Sequence, residues 1–190
     1  MAYKICISGA AAGPSVKTGA PLAAKIGEEI AKRGHILVTG ATVGVSFEAA
    51  KAAKKTGGVV VGFSPASSEE EHVGKFQLPE SKYFDYVVYT KSGYTGRNLL
   101  MVRSCDATII IAGRVGTLNE FTCAFEENEI VGVLEGSGGI ADEIRKIIKI
   151  AGKGKRKTFF ERDPVIMVDE IFRRIKSEKK EKKKFHLEYR

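Results

Sequence analysis

The sequence is poor in the residues that build metal centres, disulfide frameworks and membrane spans. Its 190 residues include three cysteines and three histidines. Cys6, Cys105 and Cys123 are odd in number, widely separated and set among apolar neighbours. That pattern offers neither a ligand spacing nor a disulfide framework, and it predicts buried thiols in a reducing compartment. His35, His72 and His186 show no metal or nucleophile spacing, and His35 is expected at a strand edge as plain structure. No run approaches the ~18 apolar residues of a membrane helix. The opening "MAYKICISGA" lacks the basic start and long apolar segment of a secretion signal. No metal, no cofactor and no membrane partner is therefore expected, and the expected location is the cytoplasm.

Two common phosphate motifs are also missing. Lys17-Thr18 follows Val16 without the glycine spacing of a P-loop, and no G-x-G-x-x-G turn occurs. A dispersed positive charge is lacking too, despite a net charge of +8. Residues 173–190 carry nine Lys/Arg against three Glu, which leaves +2 for residues 1–172. The division predicted is one domain over 1–172, followed by a basic tail at 173–190 that continues the last helix. Two readings of that tail stand open: a solvated helical end, or a nonspecific anion-binding arm for nucleic acid.

What is present is an alternation of apolar strands and amphipathic helices. "YKICISG" (3–9), "HILVTG" (35–40) and "VVVGFSP" (59–65) are apolar runs that end at glycine or proline. Leu22, Ile26 and Ile30 recur at helical spacing, with Pro21 placed to start that helix and Gly34 to end it. A short Ala/Lys-rich helix is predicted at about 47–55, and a polar surface excursion at 66–83. Strands follow at 84–90, 107–113 and 129–136. Between them come the loop "KSGYTG", the helix "RNLLMVRSC" and the helix "GTLNEFTCAFEE". Ile140, Ile144, Ile147 and Ile148 mark a further helix closed by Gly152, and a last strand near 158–168 precedes the final helix. Strands without polar alternation, separated by helices, predict an α/β doubly wound, mostly parallel Rossmann-like sheet of six to seven strands.

Ligands of such sheets sit beyond the carboxyl ends of the strands, where the strand order reverses. Three glycine turns leave strands there: "SGAAAG", "TGATVG" and "AGRVGT". Arg97, Leu100, Met101 and Ser104 share one helical face, which directs Arg97 toward the crevice beside the fifth strand. Thr117-x-x-Glu120 opens the next helix. It reads either as a capping box or as part of a site that Arg97 completes.

The segment "RNLLMVRSCDATIIIAGRVGTLNEF" resembles the R-K-x-x-M-x-x-x-x-D-x-x-I-x-x-P-G-G-x-G-T-x-x-E signature of the Lonely Guy (LOG) family. Those proteins are nucleoside 5'-monophosphate phosphoribohydrolases. Arg97, Met101, Asp106, Gly113, Gly116, Thr117 and Glu120 fall in register. "HILVTGATVGVSFEAAKAAKKTGG" is similar to an earlier glycine-rich region of the family, and the likeness covers roughly residues 3–150. Ala112-Gly113-Arg114 stands where the family has P-G-G, and Arg97-Asn98 where it has Arg-Lys.

The resemblance implies hydrolysis of an AMP-like nucleotide to base and ribose 5-phosphate. In that reading Gly116 and Thr117 hold the phosphate, Gly9, Gly40, Gly44 and Gly113 shape the turns, and Arg114 either adds a phosphate contact or obstructs. Glu120 stabilises the oxocarbenium-like sugar or orients water. Arg97 positions phosphate or ribose and keeps Glu120 ionised. A homodimer or higher homo-oligomer is implied as well. Two other functions stay open: a non-catalytic carrier or sensor of a nucleotide-like ligand, as in molybdenum-cofactor carriers of the wider superfamily, and nucleic-acid association.

Overall fold

The computed structural model describes residues 2–188, and side chains as far as Glu181, so the side chain of His186 lies outside the described set. Seven strands form one sheet: β1 (Lys4–Gly9), β2 (Ile36–Thr39), β3 (Val59–Ser64), β4 (Tyr86–Tyr89), β5 (Ala107–Ile111), β6 (Val131–Leu134) and β7 (Thr158–Glu161). Their order is β4-β3-β2-β1-β5-β6-β7, and every pairing is parallel. The predicted doubly wound Rossmann-like class is therefore what the chain adopts. Among the described residues five α-helices lie between strands, α1 (Ser15–Lys32), α2 (Val45–Lys55), α3 (Gly93–Arg103), α4 (Val115–Glu126) and α5 (Ile140–Ala151), and a sixth, α6 (Pro164–Glu188), follows β7.

The pattern of apolar residues dictates the layering. Every residue of β5 is buried, because helices cover it on both sides. Ile26 and Ile30 of α1 join Ile5, Ile7 and Leu37 in the larger core, to which α2 and α6 also contribute. Phe121 and Phe125 of α4 and Ile144 and Ile148 of α5 pack on Ile110 and Val133 on the opposite face. Burying each such side chain contributes about 1.5–3 kcal/mol. Strands progress outward in both directions from the β1–β5 pair, where Ile7 lies beside Ile109 and Gly9 beside Ile111. That pair is the switch point, and its carboxyl ends open a crevice between the turns.

Four expectations need correction. Pro21 does not start α1: the helix begins at Ser15 and carries Pro21 inside it. Pro21 and Lys17 are both exposed, so the hydrogen bond that the ring removes falls where water reaches the Lys17 carbonyl. The 66–83 segment is not wholly a surface excursion. It holds a π-helical turn at Glu71–Lys75 and a 3-10 turn at Ser81–Tyr83, and its Ala66 and His72 are fully buried. "KSGYTG" is only partly a loop, because α3 already starts at Gly93. Finally, Leu100 does not share the inward face of Arg97 and Met101 but stands 47% exposed.

The cysteines are free; Cys6 is buried while Cys105 and Cys123 are only half-buried. His35 precedes β2 and stacks on Tyr3, whose backbone N–H donates to Nδ1 at 3.2 Å.

Candidate functional site

Three elements meet at the switch point. Ser8 is the penultimate residue of β1, Arg97 lies in the second turn of α3, and Glu120 lies in the second turn of α4. All three side chains are buried. Arg97 Nη1 donates to Glu120 Oε1 at 3.1 Å, and Ser8 Oγ donates to the other carboxylate oxygen. The amide of Asn98, oriented with its nitrogen toward the carboxylate, donates to Glu120 Oε1 at 3.0 Å and to the Tyr94 carbonyl at 2.9 Å. Arg97 Nη1 also meets the Met101 sulfur at 3.6 Å, while Nε is buried without a partner.

Gly40 makes room for this arrangement. A Cβ on it would sit 2.0 Å from Arg97 Nη1, so no other residue allows the guanidinium to lie there.

Burial pushes the Glu120 carboxyl above its usual range, and the Arg97 charge and the Ser8 hydrogen bond, which pull it down, do not cancel that effect. Arg97 acts in the expected direction, favouring the ionised carboxylate, while desolvation is the larger effect and opposes it.

The capping reading of Thr117 and Glu120 is overturned. The N-cap of α4 is Arg114, and no side chain caps the helix. Glu120 turns into the cluster, and the hydroxyl of Thr117 lines the cavity instead of bonding a cap amide. The leading amides of α4 consequently have no backbone or capping acceptor among the described residues. In contrast, α2 and α5 spend their first amides on the glycine turns: Val45 donates to the Ala10 carbonyl, and Ile140 and Ala141 donate to Gly113 and Ala112.

A cavity of about 290 Å³ lies over the cluster, near the low end of small-molecule sites. Of the residues singled out from sequence, Gly9, Arg97, Arg114, Gly116, Thr117 and Glu120 line it. Gly40, Gly44 and Gly113 do not. Gly44, at φ 82°, lets α2 close against the turn after β1, where a Cβ would come within 2.3 Å of the Ala10 carbonyl oxygen. Ser8, Asn98 and Tyr94 were not singled out. The signal for Ser8 was a lone hydroxyl in a strand otherwise buried on both faces. Asn98 lies in the predicted helix but carried no role of its own there, and Tyr94 enters the site only because α3 begins at Gly93.

A larger cavity of about 370 Å³ opens at the other end of the sheet. Its lysines are already paired, Lys179 with Asp106 at 2.8 Å and Lys157 with Glu178 at 3.0 Å, so the β1–β5 crevice is the stronger candidate.

A seven-stranded parallel sheet with this switch-point constellation belongs to the LOG-like division of Rossmann-like proteins. Within that division the chain is a member of the SLOG cluster4 family, whose profile matches residues 2–185. It is 33% identical over 114 residues to an uncharacterized protein of Archaeoglobus fulgidus, spanning 60% of this chain and 69% of that protein. Among solved structures it is similar to TM1055, with a TM-score of 0.76 and 23% identity over 90% of this chain and 99% of the other. It is also similar to the molybdenum cofactor binding protein of Rippkaea orientalis, with a TM-score of 0.71 and 24% identity over 92% and 98% of the two chains. These two likenesses establish the fold.

Proposed function

We propose that the β1–β5 crevice binds a nucleoside 5'-monophosphate and cleaves its N-glycosidic bond, releasing the base and ribose 5-phosphate. The observation that carries this reading is the buried Glu120–Arg97–Ser8 cluster beneath a cavity bordered by uncapped helix amides. The amides of Gly116 and Thr117, the Thr117 hydroxyl and the exposed Arg114 supply an anion site for the phosphate. Glu120, held by Arg97 and Ser8, faces the sugar. In its ionised form it stabilises positive charge developing at C1' and takes the proton of the attacking water. The water oxygen bonds to C1' as the C1'–N bond breaks toward the base, which leaves with the electron pair and is protonated by the proton Glu120 took from the water.

The test is Glu120→Gln. Glutamine keeps the shape and can satisfy Ser8 and Arg97, so the protein folds and binds AMP within a factor of a few of the parent. Adenine release falls by about 10²–10⁴-fold. Undiminished release would remove Glu120 from the chemistry.

A second reading, a carrier that holds a nucleotide-like ligand intact, draws on one specific observation. Ala112 has φ 54°, which proline cannot adopt, so the turn after β5 departs in conformation from a P-G-G turn. AMP recovered uncut after prolonged incubation with the wild-type chain is the outcome this reading requires.

A further inference from the structure

We infer that Tyr94 is the platform on which the ligand's planar base stacks, and that Phe76 fixes the plane of that platform. The inference deepens the nucleotide reading above and rests on it. Tyr94 is the sole aromatic ring among the lining residues of the cavity; the wall around it is built from small or polar residues such as Ala10, Ala12 and Thr42. The ring is 47% exposed, and it projects from the turn of α3 immediately before Arg97. Its backbone carbonyl accepts from Asn98, whose amide also reaches Glu120. Tyr94 is thereby tied to the reacting end of the site through one side chain. The cavity has an anion-seeking pole at Arg114 and the α4 amides, and a flat aromatic pole at Tyr94. A ligand that matches both poles carries a phosphate at one end and a planar heteroaromatic ring at the other.

The surroundings hold the ring in place. Phe76 meets Tyr94 edge-on, with centroids 5.6 Å apart and an interplanar angle of 82°. The π-helical turn that carries Phe76 into position is anchored by His72, which is fully buried and has no part in the proposed chemistry. His72 Nδ1 lies 2.8 Å from Ser64 Oγ, and Nε2 lies 2.9 Å from the Pro79 carbonyl. The same segment is stitched to the entry of α3 by Lys91 N–H donating to Ala66 and Gly93 N–H donating to Pro65. One buried histidine thus positions the backing ring, and two backbone hydrogen bonds position the platform. An exposed tyrosine braced in this way loses little further freedom when a base lies on it.

The experiment compares AMP with ribose 5-phosphate by calorimetric titration of the full chain carrying Glu120→Gln, which binds AMP without turning it over, and each variant is made in that background. Tyr94→Ala weakens AMP on the order of 10- to 100-fold, the range of a lost base–aromatic stack, and leaves ribose 5-phosphate unchanged. Tyr94→Phe restores AMP binding, because the stack needs the ring and not the hydroxyl. Phe76→Ala gives a smaller loss, again for AMP only. Equal weakening of both ligands, or of neither, would overturn the platform. Binding of ribose 5-phosphate as tight as AMP by the chain with Tyr94 intact would overturn it while leaving the phosphate site standing. Binding of neither ligand would overturn the nucleotide reading with it.

Discussion

Gly40 lacks a side chain because Arg97 fills the space one would need, and a single methyl group there tests how much the cluster depends on that fit. In Gly40→Ala the guanidinium must leave its place beside Glu120 or push the turn after β2 outward. Overpacking and a broken buried ion pair together are expected to cost about 3 kcal/mol, measured by denaturant unfolding, with AMP affinity falling in parallel. A variant as stable as the parent would mean that Arg97 has a second resting place. Arg97 and Glu120 were legible in the sequence because helical spacing aims each toward the switch point. Their consequence was not: sequence pairs the charges but does not report desolvation, and burial raises the Glu120 carboxyl against the pull of Arg97. Thr117 misled in a similar way. A Thr-x-x-Glu spacing fits a capping box, yet α4 starts two residues earlier, at Val115.

Strands and helix cores were readable from apolar runs, whereas the joints between elements were not. The start of α3 at Gly93 and of α1 at Ser15 depend on glycine turns and tertiary hydrogen bonds that leave no periodic trace. The joint between α4 and β6 carries a testable charge. Burial and the neighbouring Glu127 carboxylate lift Glu129 from 4.5 to about 7, with Glu178 adding to the shift and Arg103 and Lys157 opposing it. One of its oxygens is buried without a partner. A carboxyl raised in the fold stabilises most below its ordinary value and loses that contribution as pH climbs to the folded value. The melting temperature of the wild type should therefore decline between pH 4.5 and 7 relative to Glu129→Gln, whose profile stays flatter. Parallel profiles would show that Glu129 ionises as it does in the unfolded chain.

Across the molecule, the parallel sheet and its switch point followed from the alternation of strands and helices, but the packing of the last helix onto the fold did not. At 25 residues, α6 extends about 37 Å, far beyond a four-residue strand such as β7. Ile175 is buried, Lys179 pairs with Asp106, and Lys157 pairs with Glu178, so the helix is built into the fold at least to position 179. A cut that probes the lysine-rich end should therefore spare those contacts. Removing residues 182–190 is expected to lower the salt concentration at which the chain leaves a DNA column, and to leave melting temperature and AMP binding unchanged. Unaltered elution would remove this end from any part in anion binding.

The direction of α6 has a further consequence. It leaves β7 at the carboxyl edge of the sheet and runs back to Asp106, at the amino edge of β5. The end of α6 around Lys179 and the Glu120 crevice therefore occupy opposite poles. A polyanion held at that pole would be moored away from the crevice, out of reach of Glu120.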